Sequence, residues 1–270
     1  MPEMTTSDWL LAILCYLAVA VLVLGLLRRF TKWWRSETPL NIVLTPAPKT
    51  RCGVARRLAL GMLFFPALAK SSPWLWAAAW IFHVSLLLLI IGHFGGLVFF
   101  DLTCKIFGLG EAGYHQFANL TGGIFGITAT LALLVLLLRR LTLERERHIS
   151  VFADYFALIL LLLIIGAGNH MRFLGGFSDA DLVQARAFAQ GLLTFQPAAP
   201  PANAVFVIHV ILVSVLLIYL PFSKLVHLGG ALSNPTLTQT NTPREKRHIG
   251  PWDAQTQGHA QPNSQNKATA

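Results

Sequence analysis

Apolar residues along this chain gather into five long runs, each close to or above the length needed to cross the hydrocarbon of a bilayer as a helix. Charged residues or prolines bound most of the runs. Because lipid offers no hydrogen-bond partners, backbone groups must be satisfied within each segment, which predicts helices rather than strands. The predicted spans are Trp9–Leu27, Trp74–Phe100, Leu120–Leu138, Val151–Gly168 and Ala204–Phe222. The pattern therefore predicts an all-α integral membrane protein, a bundle of five transmembrane helices.

The composition agrees with this class. Of the 270 residues, 54% are hydrophobic and 12% are charged, which departs from soluble averages in the direction of membrane-embedded chains. The first run lies far from any basic n-region, lacks a convincing small-residue cleavage site and ends at Arg28-Arg29. It is therefore predicted to be a retained span rather than a signal peptide.

Positive charge is unevenly distributed over the connecting segments. If the N-terminus lies outside, the cytoplasmic segments are Arg28–Pro73, Arg139–Ser150 and Ser223–Ala270, and they hold 18 of the 21 lysines and arginines. The positive-inside rule then predicts a periplasmic N-terminus and a cytoplasmic C-terminus for a multi-pass protein of the bacterial inner membrane. The same distribution argues against nucleic-acid binding, because the charges flank spans instead of forming one patch with stacking aromatic side chains.

Three segments outside the spans carry local predictions. Arg56–Lys70 mixes basic and apolar residues and is predicted to lie on the cytoplasmic surface as an amphipathic helix, for lipid or partner contact without chemistry. A short helix is expected after Ser178 or Asp179, either of which can act as its N-cap. The membrane domain is predicted to occupy residues 1–230, followed by a disordered tail over residues 231–270, which is rich in Thr, Gln, Asn, Pro and charge.

The cysteines exclude some redox groups. Cys15, Cys52 and Cys104 are scattered and form neither a Cys-x-x-Cys-His haem attachment site nor an iron–sulfur ligand run. Covalent c-type haem and iron–sulfur clusters are therefore not expected on this chain. Any electron carrier must be held by other ligands.

Four of the nine histidines lie within or beside the apolar runs. His83 and His93 fall in the second run, His209 lies early in the fifth, and His227 follows its end. Ionisable side chains at membrane depth are costly and mark function by default. A single such histidine could equally be a packing residue. Four on two helices predict the metal ligands of two b-type haems.

The predicted topology also pairs these histidines. The second and fifth helices are antiparallel, so each offers one ligand at each level, His83 with His227 near the cytoplasm and His93 with His209 near the outer face. At about 1.5 Å per helical residue, the ligands on the second helix are about 15 Å apart along its axis. An unbroken fifth helix separates its two ligands by about 27 Å. The fifth helix is therefore expected to bend or end near Pro221.

The spacings of the four histidines, together with the five spans, resemble those of a known family. Five spans with a His-x9-His pair on the second and a His-x17-His pair around the end of the fifth resemble the nitrate reductase gamma subunit, a membrane cytochrome b, over about Trp9 to Gly230. Within the family, the long segment between spans one and two, with Pro39, and the stretch Asn169–Phe173 are similar to the DsrM branch. That branch is the diheme cytochrome b of the DsrMKJOP complex, which is linked to dissimilatory sulfur metabolism.

The resemblance implies a function and partners. It implies quinol chemistry at the outer haem and electron exchange with a cytoplasmic iron–sulfur, heterodisulfide-reductase-like subunit beside the inner haem. A periplasmic multihaem cytochrome c and further membrane subunits are implied in the same complex. The chain is then the electron-transfer subunit of a quinol:acceptor oxidoreductase complex.

A quinol site needs a group that accepts a hydroxyl proton next to an oxidant. The candidates in the predicted outer loop are His115, Glu111, Tyr114 and Lys105. Each of them can equally be an ordinary polar group of a loop. The lysine that helps bind quinone in the nitrate reductase branch has no match here, because the position twenty residues after His93 is Gly113. Arg172, just outside the fourth span, is predicted to pair with a haem propionate.

Other interpretations remain open on the sequence. A membrane cytochrome b of a nitrate reductase or of another respiratory oxidoreductase is the alternative within the same class. A proton-translocating transporter or channel could use the histidines as a relay, but it should carry acidic partners, and only Asp154 lies within a predicted span, near its end. A non-haem membrane anchor explains the basic segments but not the histidines.

Overall fold

The computed structural model describes residues 4–36, 43, 45–174 and 177–241, and within these residues the chain is helical and contains no β-strand. Five of the described helices are long and apolar enough to cross a membrane. They are Thr6–Arg35, Pro73–Val98, Glu111–Thr142, Phe152–Phe173 and Ala204–Phe222. Each contains or overlaps one predicted apolar run. The prediction of an all-α, five-span, multi-pass membrane protein is therefore confirmed.

The described residues form twelve α-helices. In chain order they are α1 (Thr6–Arg35), α2 (Arg51–Phe64), α3 (Pro66–Ser71), α4 (Pro73–His93), α5 (Phe100–Phe107), α6 (Glu111–Thr142), α7 (Glu144–Ile149), α8 (Phe152–Phe173), α9 (Asp179–Leu193), α10 (Ala204–Tyr219), α11 (His227–Leu232) and α12 (Pro235–Thr238). A π-helical turn at Phe94–Val98 prolongs α4, and a 3-10 turn at Leu220–Phe222 prolongs α10.

The described chain divides into two compact units. The first contains residues 4–28 and 65–226, and the second contains residues 29–64 and 227–241. Within the second unit, α11 and α12 pack against α2. Gly229 of α11 lies against the rings of Phe30 and Trp33 at the end of α1, a close approach that a side chain would block.

The first unit holds the helical bundle. Helix α4 packs against α6, α6 against α8, and α8 against α10. A buried cluster that includes Phe82, Leu133 and Ile165 fills the space between these helices. Polar side chains also bridge the helices, since Ser85 Oγ and Thr128 Oγ1 are 2.9 Å apart across α4 and α6. Such hydrogen bonds satisfy polar groups that would otherwise face lipid.

At Gly126, the contact between α6 and α8 requires a residue without a side chain. Asn169 Nδ2 donates to the carbonyl oxygen of Gly126 at 3.2 Å and to Thr130 Oγ1 at 3.0 Å. A Cβ on residue 126 would overlap the amide of Asn169. The missing side chain therefore makes the room in which this interhelical amide is bound.

Acidic residues of the spans lie only at helix starts. Asp8, Glu111 and Asp154 are the acidic residues of the five described spans, and each lies in a first helical turn. The helices extend beyond the predicted apolar runs, so Asp8 and Glu111 lie within described spans in addition to Asp154, the one acid predicted there. Asp154, 11% exposed, is paired with Lys224 at 2.9 Å and Arg140 at 3.3 Å. No described span carries an acid at mid-helix, where a proton relay needs one.

Two of the local predictions differ from the structure. The single amphipathic helix expected over Arg56–Lys70 is instead parts of α2 and α3, separated by Phe65 with φ 47°. The break follows from Pro66, because a residue before proline is disfavoured from the α conformation. In the tail, where disorder is predicted, Pro235–Thr238 forms α12 with Asn234 as its cap. Residues 242–270 of that predicted tail lie outside the described residues.

The other local predictions agree with the structure. Helix α9 begins after Ser178, whose Oγ accepts from the backbone N–H of Asp181 at 3.2 Å. The backbone N–H and the hydroxyl of Ser178 hold the pKa of Asp181 below its usual range, so the cap is lost only as the pH falls through that lowered pKa. Helix α10 ends at Tyr219, and 3-10 turns that include Pro221 separate it from His227. The expected interruption of the fifth helix is therefore present.

Candidate functional site

The clearest candidate site is a pair of facing imidazoles. His93 ends α4, and His209 lies in the second turn of α10. Their ring centroids are 6.3 Å apart, and the ring planes differ by 9°. Two nitrogens on opposite sides of one metal ion, each at about 2 Å, are about 4 Å apart. Because the ring centroids lie farther out than the nitrogens, the observed separation fits two axial ligands of one iron.

The hydrogen bonds of the histidines set their tautomers. The carbonyl acceptors of Nδ1 are Leu89 for His93 at 2.7 Å, Ile164 for His209 at 3.0 Å and Ala79 for His83 at 2.7 Å. An Nδ1–H that donates to a carbonyl places the lone pair on Nε2, as in metal-bound histidines whose ring orientation is fixed by a second hydrogen bond. His148 makes the same contact within α7, so it is common in helices. The bond from His209 to α8, however, joins two helices.

The surroundings of His209 bring α8 close to its ring. A Cβ on Gly168 would lie 3.7 Å from His209 Cε1, so α8 is already in van der Waals range of the imidazole. The carbonyl of Ile164, one turn earlier on α8, holds Nδ1. The orientation of His209 is therefore fixed by a neighbouring span, which is what a preformed ligand requires.

The other predicted pair is divided between the two units. His83 lies on α4, where the rings of Phe65 and Phe82 contact it edge-on with centroids at 5.2 Å and 5.1 Å. His227 opens α11 in the second unit. The pairing of His83 with His227 stays a prediction.

The number of side chains available as metal ligands determines which kind of metal group this site fits. Within the described part of the chain, no three side chains of His, Cys, Asp or Glu converge on one point where a metal ion could be held. A structural or catalytic zinc takes three or four protein ligands, so it does not fit this pair. A haem iron takes at most two axial ligands from the protein, because its macrocycle supplies the others. Two facing imidazoles therefore fit a haem.

A second group of side chains lies where α9 packs against the π-helical turn after His93. We call it the Arg186 cluster; its members are Phe100, Glu111, Tyr114, His115, Asp179 and Arg186. His115 lies between two carboxylates, with Nε2 3.7 Å from Glu111 Oε1 and Nδ1 3.8 Å from Asp179 Oδ1. Three of the four residues predicted for quinone binding thus come together. Lys105 lies on α5 and, among the described residues, joins the others through no hydrogen bond or ion pair.

Tyr114 connects this cluster to the histidine pair. Its side chain is buried at 5% exposure and packs edge-on against Phe100 with centroids at 5.1 Å. A Cβ on Gly96 would lie 2.7 Å from the tyrosine hydroxyl. Because Gly96 is three residues after His93, the hydroxyl lies about one helical turn from the ligand on α4.

Sequence reasoning missed Arg186. Its guanidinium carbon lies 3.4 Å from the centroid of the Phe100 ring, and Nη1 is 3.7 Å from Glu111 Oε1. The side chain is 13% exposed, and within the described residues its buried Nε and Nη2 have no hydrogen-bond partner. The available signal was the rarity of basic residues in the segments predicted to lie outside, which hold only three of the 21.

The structure places Arg172 against α6. Its Nη1 donates to the carbonyl oxygen of Ala118 at 3.0 Å and to Asn119 Oδ1 at 2.8 Å. A Cβ on Gly122 would lie 2.7 Å from Nη2, so the guanidinium packs closely on the helix backbone. The assignment of Arg172 to a haem propionate stays a prediction.

Comparisons with known proteins identify the family of the chain. The family model described as nitrate reductase gamma subunit matches residues 68–237. An Hdr-like menaquinol oxidoreductase cytochrome b-like subunit of Archaeoglobus fulgidus is 35% identical over 88% of this chain and 81% of that protein. Its counterpart in Archaeoglobus profundus is 30% identical over 93% of this chain and 84% of that protein. The nitrate reductase gamma chain of Bacillus subtilis is 31% identical over 56% of this chain and 70% of that protein.

These matches agree with a helical membrane bundle that carries paired histidines. The chain belongs to the nitrate reductase gamma subunit family, which includes cytochrome b-like subunits of menaquinol oxidoreductases and gamma chains of nitrate reductases.

Proposed function

We propose that the chain is a diheme cytochrome b subunit that exchanges electrons between the quinone pool and a cytoplasmic iron–sulfur partner. The observation that carries the proposal is the His93–His209 pair, with parallel rings at 6.3 Å and an Nδ1 fixed by a carbonyl of a third helix. When bound, a haem supplies one-electron transfer. The residues of the chain that would hold it are His93 and His209, through their Nε2 atoms, and the carbonyls of Leu89 and Ile164 fix the orientations of the two rings.

The second haem is proposed between His83 and His227. Support comes from the spacings of the four histidines and from the interruption of the fifth helix at Pro221, since the mismatch was expected only for an unbroken fifth helix. Edge contacts from Phe65 and Phe82 restrict the ring of His83 and suit a ligand with a fixed plane.

Quinol oxidation is proposed at the Arg186 cluster. His115 can accept a hydroxyl proton, and Glu111 and Asp179 beside it stabilise the imidazolium that forms. Tyr114 can donate a hydrogen bond to a quinone oxygen. Lys105 on α5 is proposed as a more distant member of the site.

We expect a menaquinol analogue to reduce the b-type absorbance of the wild-type protein, and His115→Gln to slow this reduction by about 10²-fold, the order of a general base. Stopped-flow absorbance under anaerobic conditions measures the rate. Thr142→Ala, a polar change at the opposite end of the same helix, serves as the control. A wild-type protein that quinol cannot reduce would contradict the function, whereas an unchanged rate in the variant would remove only His115 from it.

The proposed orientation of the chain in the membrane follows from the distribution of its basic residues. With 18 of 21 basic residues in three segments, we propose the N-terminus outside and the C-terminus in the cytoplasm. The basic segments then face the iron–sulfur partner and anionic lipid. The proposed His93–His209 level and the Arg186 cluster face the periplasmic side.

The native cysteines offer a test of this direction. Cys52 is exposed on α2, and Cys104 is partly exposed on α5, in segments that the proposal places on opposite sides of the membrane. A membrane-impermeant maleimide applied to intact spheroplasts should label Cys104 and spare Cys52, and after lysis it should label both. Peptide mass spectrometry reads the sites. Labelling of Cys52 before lysis would reverse the proposed orientation.

The partner proposal rests on the relatives. The two Archaeoglobus proteins, named as Hdr-like menaquinol oxidoreductase subunits, align with most of this chain, whereas the Bacillus gamma chain aligns with 56% of it. This difference favours a heterodisulfide-reductase-like iron–sulfur subunit over a nitrate reductase as the electron acceptor or donor. We further propose that the complex is of the DsrMKJOP type in sulfur metabolism, with a periplasmic multihaem cytochrome c and other membrane subunits.

A further inference from the structure

One buried cation has donors that no described group accepts. Arg186 is 13% exposed, and its Nε and Nη2 are buried without a hydrogen-bond partner among the described residues. Leaving charged donors unpaired away from water is costly. The guanidinium is nevertheless held in place, with Phe100 beneath its plane at 3.4 Å and Glu111 facing Nη1 at 3.7 Å. This arrangement indicates a ligand on the remaining edge.

The two unpaired atoms identify the chemistry of that ligand. Nε–H and Nη2–H form one edge of the guanidinium, where two parallel N–H bonds match the two oxygens of a carboxylate. A quinone oxygen can accept from both donors, but it brings one neutral oxygen, whereas a carboxylate brings two oxygens and a negative charge that compensates the guanidinium. The ring of Phe100 favours the cation through its face and fixes the plane of the fork. The edge is therefore built for a carboxylate.

Helix α9, which carries Arg186, packs beside both segments that carry the proposed haem ligands. Helix α9 packs against the π-helical turn that follows His93. Phe188, two residues after Arg186, contacts Phe206 with ring centroids at 6.2 Å. Phe206 lies three residues before His209, about one helical turn away. The helix that carries Arg186 thus touches both segments that carry the ligands.

From this geometry we propose that the Nε–Nη2 edge of Arg186 binds a propionate carboxylate of the haem held by His93 and His209. The inference rests on the proposed function, because it needs a haem at that pair. Arg186 is then a positioning residue, which fixes the haem edge and neutralises its charge. A cation beside the propionate favours the reduced haem, since the extra electron makes the haem more negative. Glu111, Tyr114, His115 and Asp179 are the other titratable members of the Arg186 cluster.

Redox titration of the purified full-length protein tests the inference. In Arg186→Gln, the haem that His93→Ala removes should show about a tenfold shift of its redox equilibrium toward the oxidised form, which is about 59 mV for a one-electron couple. Arg186→Lys retains the charge without the fork, and its shift should be smaller. The other haem should titrate as in the wild type. Arg139→Gln, which removes a guanidinium already paired with Glu146 at 2.7 Å at the opposite end of α6 from Glu111, should leave the haem of His93 and His209 unchanged.

Three results would overturn the inference. An unchanged midpoint potential in both Arg186 variants would show that the edge holds no carboxylate of this haem. A rise in the KM for quinol with an unchanged potential would assign the edge to a quinone oxygen. A shift in Arg172→Gln instead would transfer the role to that arginine. None of these results affects the proposed function, which fails separately if His93→Ala removes no haem.

Discussion

His209→Ala is expected to remove one of the two haems and leave the other in place. In the structure His209 is one half of a parallel pair with His93, and no described group on α10 can take over its position. A haem with one remaining axial histidine loses an iron–nitrogen bond and the ring orientation that the Ile164 carbonyl imposes. The haem-to-protein ratio of purified protein, from the pyridine haemochrome spectrum, should fall from two to one.

Three further variants make this result specific. His93→Ala should remove the same haem, as judged by the component lost from the redox titration, and His83→Ala should remove the other. His148→Ala is the matched control, because His148 makes the same contact within its own helix but belongs to no pair. The pairing would be contradicted if His93→Ala and His209→Ala removed different haems. It would also be contradicted if either variant retained both haems.

Gly126→Ala is expected to be among the most destabilising single changes in the bundle. The new Cβ would occupy the place of the Asn169 amide, which donates to the Gly126 carbonyl and to Thr130. Overpacking costs about 1–3 kcal/mol, and each lost hydrogen bond adds about 1 kcal/mol. The thermal midpoint in detergent should fall, and it can be followed by the haem absorbance and by circular dichroism.

A double variant separates the steric effect from a general effect of alanine. Gly126→Ala with Asn169→Ala should lose less stability than the sum of the two single changes, because the shortened side chain vacates the space that the Cβ needs. Gly166→Ala is the control, since no atom lies within 4 Å of its Cβ position. Equal effects of Gly126→Ala and Gly166→Ala would show that the close α6–α8 contact is not what limits stability.

The bundle and its main ligand pair follow from simple physical rules. Membrane thickness fixes the length of the apolar runs, and the antiparallel order of α4 and α10 brings His93 opposite His209 without knowledge of any contact. Pro221 interrupts the fifth helix for the local reason that proline lacks an N–H. These features depend on the length and order of segments along the chain, so they can be predicted from the sequence.

Other features depend on contacts that no local pattern shows. The proposed role of Arg186 depends on which of its nitrogens face Glu111 and which have no partner among the described residues. That arrangement depends in turn on how α9 packs on the π-helical turn after His93. The grouping of His115 with Asp179 joins residues 64 positions apart in the chain. The helix at Pro235–Thr238 forms because it packs on α2, although its composition alone predicts disorder.

The bonding of Asp154 bears on the transporter interpretation. Its carboxylate is paired with Lys224 and Arg140, at the junction of α6, α8 and the turn before His227. An acid neutralised by two cations at a helix start ties helix ends together. A relay would need a carboxylate free to change its protonation beside the histidines. Asp154 instead forms structural ion pairs with Arg140 and Lys224 at the start of its helix.

The most direct test of the account is the number of b-type haems bound per chain. The pyridine haemochrome spectrum of the purified wild-type protein, combined with quantitative amino-acid analysis, gives this ratio. The account predicts two low-spin haems per chain, and none in a variant with alanine at His83, His93, His209 and His227. A wild-type protein without b-type haem, or a four-alanine variant that retains it, would contradict the account.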